Sequence, residues 1–174
     1  MIKRKKLGLM YRDRYNKLSR WIRKKPYRYK LFLILYKTLP VLVMGTYAVM
    51  IFYAIYKLNR EQWIRILAVP AVTFLAVTVF RKLINEKRPY EVYDIQPLVY
   101  KSKQGESFPS RHMVSVVIIA MAGFYMSGLL GSLLMLVSVL IGILRPVAGV
   151  HYLRDILGGF FFSLIMGFIG FYII

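Results

Sequence analysis

Apolar and polar positions along this chain fall into long blocks, not into the short alternation of half-buried strands. Five apolar blocks run roughly over 31–57, 63–80, 112–127, 129–144 and 156–174, each bounded by charge, Gly or Pro. A helix needs about 20 residues to cross the hydrocarbon of a bilayer, with about 17 as the lower limit. The blocks therefore predict five membrane helices, the third and fourth short unless flanking residues join them. Ser127-Gly128 predicts a tight turn between two antiparallel helices. Pro40 and Pro70 lie inside blocks, where neighbouring helices satisfy the carbonyls a proline frees, and Lys37 reaches the near interface by snorkelling. Ahead of the first block, Leu7, Leu9, Met10, Tyr11, Tyr15, Leu18, Trp21 and Ile22 are interleaved with cations. That is the pattern of a helix on the membrane surface, apolar side down. The one substantial polar connection is 81–111, and connections that long in compact proteins are usually functional or disordered. The expected fold is all-α, a polytopic membrane helix bundle of about five transmembrane helices plus an N-terminal amphipathic interfacial helix. The expected division is a basic amphipathic segment over 1–30 and a transmembrane domain over 31–174.

Composition narrows the class. Of the 174 residues 58% are hydrophobic and 16% aromatic, which excludes a disordered basic chain. A mean hydropathy of +0.52 excludes an ordinary soluble domain. Without cysteine there is no disulfide framework, no thiolate metal site and no thiol nucleophile. The net charge of +19 is uneven: residues 1–30 carry thirteen Lys and Arg, Lys3, Arg4, Lys5 and Lys6 among them, against Asp13 alone. Charge interrupts every apolar stretch there, so no cleaved signal peptide is expected. The segment leads directly into a span, which favours anionic head groups over nucleic acid as its partner. Two crossings return the chain to the side of its N-terminus. Twenty-two cations then lie on that side, against Lys57, Arg60 and Arg65 on the other. By the positive-inside rule the first side is cytoplasmic.

The reactive side chains converge on that same side. The only two histidines, His112 and His151, stand at span boundaries; Arg81 and Arg88 end the second span, Ser110 and Arg111 open the third, Arg145 closes the fourth, and Asp155 opens the fifth. Several guanidinium groups around one carboxylate make a poor metal site, since cations repel a metal and three ligands with open geometry are missing. They make a good oxyanion site: arginine forks match phosphate oxygens, and amides at a helix start favour anions. Two histidines suggest divided labour, one attacking phosphorus and one protonating the leaving oxygen. Asp155, four residues after His151 and on the same helical face, is placed to hold the other imidazole proton.

At these positions the chain resembles a known family. Arg81-x6-Arg88-Pro89, Pro109-Ser110-Arg111-His112 and Arg145-x5-His151-x3-Asp155 look like the three-part signature of the type 2 phosphatidic acid phosphatases, membrane lipid phosphatases related to vanadium haloperoxidases. The resemblance covers about 63 to the C-terminus. It implies a membrane helix bundle, no metal or other cofactor, and a phosphohistidine intermediate. His151 would be the nucleophile, Asp155 its orienting partner and His112 the general acid, with Arg81, Arg88, Ser110 and Arg145 holding phosphate. It also implies an active site on the outer face of the cell membrane, against the charge count. Three positions depart from the pattern: Arg81 stands where Lys is usual, with Lys82 one residue out of register; Arg111 replaces a glycine and can reach a second phosphate or head group; Leu144 replaces a serine. The expected function is a metal-independent lipid phosphate phosphatase acting on phosphatidate, phosphatidylglycerol phosphate or a polyprenyl diphosphate such as undecaprenyl diphosphate. The rivals are a non-catalytic anionic-lipid binder and a lipid phosphotransferase. Tyr90, Tyr93, Tyr100 and Tyr152 read as an interfacial aromatic belt, and Gly158 and Gly159 as sites of close helix packing.

Overall fold

The structure is a computed structural model that describes residues 2–174, with side chains from Gly8 onward; the side chains of Lys3, Arg4, Lys5, Lys6 and Leu7 lie outside the described residues. Helix α1 covers Ile2–Arg23, α2 Pro26–Lys57, α3 Arg60–Ile84, the single turn α4 Pro89–Val92, α5 Arg111–Met126, α6 Gly128–Val147 and α7 Leu153–Phe168, which continues into a π-helical turn Ile169–Ile173. The fold is all-α among the described residues. The chain is an integral membrane protein: α2, α3, α6 and α7 with its π turn are each long and apolar enough to cross a bilayer.

Local chemistry sets the helix ends. Proline opens α2, where its missing N–H costs nothing. Asn59 caps α3 by accepting from the Gln62 amide at 2.9 Å, while the Gln62 side chain accepts from the Asn59 amide at 3.3 Å. Asn85 ends α3 in the left-handed region at φ 44°, which asparagine tolerates better than most residues. At 32 residues α2 is about 48 Å long, more than the hydrocarbon thickness, so its first turns project beyond the membrane on the side where α1 lies.

The third block is the helix at the centre of the bundle. Only 16 residues long, α5 buries Met113, Val114 and the run from Val116 to Ala120. Its shortness is tolerated because protein, not lipid, surrounds it. Ser138 of α6 and Ser163 of α7 donate hydrogen bonds to the Val116 and Val114 carbonyls, each at 3.0 Å, binding the neighbours to it. The fourth block, short in the sequence, lengthens at both ends to the 20 residues of α6, and Ser127 alone separates it from α5.

The apolar residues of α1 divide between two surfaces. Tyr15 and Ile22 are buried against the protein, whereas Leu9, Met10, Leu18 and Trp21 are exposed. The inner face grips two connections. Ser19 Oγ donates to the Gln96 carbonyl at 3.2 Å and Arg23 Nη2 to the Pro97 carbonyl at 2.8 Å. The Tyr15 hydroxyl accepts from the Leu98 amide at 3.1 Å and donates to the Val147 carbonyl at 3.2 Å. Tyr93 and Tyr152, expected in an interfacial belt, instead gather on Tyr11, with ring centroids 4.9 and 6.0 Å away. Docking of α1 on these connections places the N-terminal helix on the same side as the ends of α3 and α6 and the starts of α5 and α7.

Candidate active site

The site is built where four helix ends meet under the 85–110 connection. That connection folds back on itself. The Ser107 amide donates to the Glu86 carbonyl at 2.8 Å, Arg88 Nε to the Gly105 carbonyl at 2.9 Å, and Glu91 accepts from the amides of Arg88 and Gly105 at 2.7 and 2.9 Å. Its last residues join α5 to α7, with the Ser110 amide donating to the Asp155 carbonyl at 2.9 Å. Gly159 makes this approach possible: a Cβ there would stand 2.8 Å from the Ser110 carbonyl oxygen, a contact real Cβ atoms do not make.

His151 sits in the short connection between α6 and α7, and Gly149 just before it turns the chain at φ +81°. The imidazole is 2% exposed, and its Nδ1 lies 3.3 Å from Asp155 Oδ2. The same carboxylate oxygen accepts from Ser107 Oγ at 2.5 Å and from the Tyr152 amide at 2.9 Å. Asp155 is thus held rigidly, and the hydrogen bond it accepts from Nδ1–H leaves the Nε2 lone pair free. Burial lowers the His151 pKa to about 4; the hydrogen bond that His151 donates to Asp155 opposes this, and the charges of Arg88 and Arg81 add to it. At neutral pH the imidazole is therefore uncharged and able to act as a nucleophile.

Three arginines close around this pair. Arg81, Arg88 and Arg145 are each at most 4% exposed, a burial that arginine rarely reaches without an anionic partner. Arg81 donates one bond, from Nη2 to the Glu106 carbonyl, and turns inward, whereas the adjacent Lys82 is exposed. Arg145 lies with its guanidinium carbon 4.3 Å from the Tyr36 ring centroid. Arg111 is half-buried, with its guanidinium carbon 5.4 Å from the ring centroid of Phe74 on α3 and within electrostatic reach of Arg81 and Lys101. His112, also half-buried in the first turn of α5, lies within electrostatic reach of Arg145, Lys101, His151 and Arg111. Leu144, in the serine position, packs into an apolar cluster with Tyr36, Leu98 and Val150.

Unpaired polar atoms locate the pocket. Among the described residues, the buried side-chain nitrogens and oxygens without a hydrogen-bond partner are Arg81 Nε, Arg88 Nη1, Arg145 Nε, Ser110 Oγ, Tyr36 Oη and Asp155 Oδ1. All but the last can donate, and each unpaired group costs about 1–3 kcal/mol. Buried donors gathered at one end of the bundle, three of them guanidinium nitrogens, suit an acceptor with several oxygens and negative charge.

Some members of the site were not legible in the sequence. Ser107 fixes Asp155, yet nothing in its surroundings marks it. Lys101 entered only as part of the charge count, but in the fold it is half-buried, and burial together with Arg145, Arg88, Arg111 and Arg81 lowers its pKa to about 8. Tyr36 is hidden inside the first apolar block.

A membrane helix bundle whose helix ends hold a His–Asp pair beneath converging arginines has the construction of a membrane-embedded phosphatase. The PAP2 superfamily model matches residues 62–174, and the chain belongs to that superfamily. It is accordingly a hydrolase of lipid phosphates. Among curated protein sequences nothing matches. Two solved structures share the fold. LpxE of Aquifex aeolicus is 24% identical with a TM-score of 0.66, over 88% of this chain and 92% of that one. The first transmembrane PAP2 type phosphatidylglycerolphosphate phosphatase from Bacillus subtilis is 22% identical with a TM-score of 0.62, over 91% of this chain and 83% of that one.

Proposed function

We propose that this protein releases phosphate from a membrane lipid through a phosphohistidine formed on His151. The observation that carries the reading is the set of unpaired buried donors from Arg81, Arg88, Arg145 and Ser110 around the Asp155-held imidazole. Phosphate oxygens accept from these groups and from the first amides of α5. His151 Nε2 attacks phosphorus and the bond to the lipid oxygen breaks. His112, whose pKa burial and the neighbouring cations hold low until the negative charge of a bound phosphate offsets them, enters the reaction protonated and gives that proton to the leaving alkoxide. Asp155 stabilises the positive charge that develops on the imidazole. In the second half His112 accepts a proton from water, the resulting hydroxide attacks phosphorus, and the P–N bond breaks to release phosphate and restore neutral His151.

Substrate class follows from what surrounds the arginines. Lys101 and Arg111 add positive charge beyond what one phosphate needs, favouring head groups with more than one negative charge, such as a diphosphate or phosphatidylglycerol phosphate. A cavity of about 330 Å³ between α2, α3 and α5, lined by Met44, Tyr47, Leu67, Phe74 and Ile118, gives the hydrocarbon tail a path. Phe74 belongs both to this cavity and to the Arg111 contact, so head and tail would be held on the two sides of one ring.

Phosphate release from a panel of phosphatidate, phosphatidylglycerol phosphate and undecaprenyl diphosphate, with a chelator present, tests the proposal. Release by the native protein and its loss in His151→Ala are expected. Release undiminished in the variant would remove His151 as nucleophile, and transfer to an added alcohol in place of water would make the protein a phosphotransferase. The charge distribution supports a cytoplasmic active-site face in a protein of the plasma membrane. Gln104→Cys, exposed in the 85–110 connection, should then resist an impermeant thiol reagent in intact cells; labelling from outside would put the site on the outer face.

A further inference from the structure

Tyr36 lies on α2, outside the residues that the superfamily model matches, yet its side chain belongs to the phosphate pocket. It is 8% exposed and packs against Phe32, with Leu98 and Val150 in the same cluster, Val150 being the residue before His151. The Arg145 guanidinium carbon lies 4.3 Å from its ring centroid, and the guanidinium is near enough to point a donor at the hydroxyl oxygen. Packing and the cation–π contact account for the ring, and a phenylalanine would supply both equally well. They do not account for the hydroxyl. It is buried and its proton has no acceptor among the described residues, in a fold where Tyr15, Tyr29, Tyr47 and Tyr90 each donate theirs to a backbone carbonyl. The Nε of the stacked Arg145 is unpaired as well. Two adjacent buried donors without an acceptor select the same kind of partner, an oxyanion lying against both.

We propose that Tyr36 is a further phosphate-binding residue, donating its hydroxyl to a phosphate oxygen that Arg145 also holds. The inference rests on the phosphate reading of the pocket and adds α2 to the elements that build it. Its chemistry is specific: a neutral, fixed donor contributes a directed hydrogen bond, where another cation would add repulsion to three buried arginines. The group it recognises is a phosphoryl oxygen, in the ground state or in the five-coordinate state along the reaction.

Tyr36→Phe separates this role from a structural one, because it keeps the ring beneath Arg145 and removes the hydroxyl alone. Orthovanadate binding to the purified protein in detergent, measured by calorimetry, is the readout. Loss of a hydrogen bond to a charged group should weaken vanadate about tenfold in the variant. Equal affinity in the two proteins would overturn the role of Tyr36 and leave the phosphatase reading standing. Failure of the native protein to bind vanadate would overturn both. If Tyr36→Phe does not fold, a structure of the native protein with orthovanadate decides: the hydroxyl within about 3.2 Å of a vanadate oxygen supports the proposal, and a hydroxyl bonded elsewhere refutes it.

Discussion

The two ends of the helix bundle handle polar groups in opposite ways. At the end where α2 turns into α3, the half-buried Arg65 is paired, meeting Glu61 at 2.5 Å and the C-terminal Ile174 carbonyl at 2.7 Å, and the Asn59–Gln62 capping box satisfies the amides it faces. At the other end Arg81, Arg88, Arg145, Ser110 and Tyr36 are buried and keep unpaired donors. Stability explains the first arrangement and opposes the second. A fold that carries several costly unpaired groups in one place, while pairing them elsewhere, has been shaped there by what it binds.

The contrast can be broken at either end, and the effects should descend in size. Arg88→Gln removes a buried charge aimed into the pocket. A fall in kcat/KM of about 10²–10³-fold on the preferred lipid phosphate is expected, in the range of a lost preorganised donor; a change below threefold would take Arg88 out of phosphate binding. Tyr15→Phe acts on the clamp behind the site. It leaves the buried Leu98 amide unpaired and frees the Val147 carbonyl, so unfolding should become easier by about 1–3 kcal/mol, read from denaturation in detergent. No loss of stability would mean that α1 does not hold the His151 connection.

Lys101 gives a pH test of intermediate size. Its pKa of about 8, lowered by burial and the neighbouring arginines, means that the ammonium is fully charged well below pH 8 and loses its proton as pH rises through that value. Its attraction for phosphate is therefore present at low and neutral pH and fades above 8. The alkaline limb of kcat/KM should show a several-fold fall near pH 8 that is absent in Lys101→Arg, because arginine stays charged. An identical limb in both proteins would exclude Lys101 from substrate binding. On the proposed mechanism the acid limb would belong to His151, whose imidazole becomes charged only when pH falls toward about 4. At the opposite end, Arg65→Gln breaks a pair whose Glu61 is largely exposed; stability should change by less than about 1 kcal/mol and activity by less than twofold. A large activity loss there would erase the difference between the two ends.

The blocks of apolar residues showed the spans to within a few residues, and the spacing of Arg81, Arg88, Ser110, His112, Arg145, His151 and Asp155 showed which helix ends share a side. These features are local: a span is recognised by its own length and hydropathy, and helix counting puts its ends on one side or the other. The split of the α1 apolar face was less legible, because Tyr11, Tyr15 and Trp21 have similar polarity and only the docked connections distinguish inward from outward positions. Leu144 illustrates the same limit. As a replacement for serine it reads as one missing hydroxyl, yet in the fold it shares a cluster with Tyr36, which brings a hydroxyl from another helix.

The amino-acid order by itself determined a membrane bundle, its element order and a basic pocket bearing two histidines and a carboxylate, since each depends on periodicity or on neighbours a few residues apart. Tertiary structure alone decided that Ser107 holds Asp155, that Lys101 faces the arginines, that Tyr15 clamps the His151 connection and that Tyr36 lies beneath Arg145. The contacts of Ser107 and Tyr15 join residues 48 to 132 positions apart, and only packing of the helices brings such distant groups together at one end of the bundle.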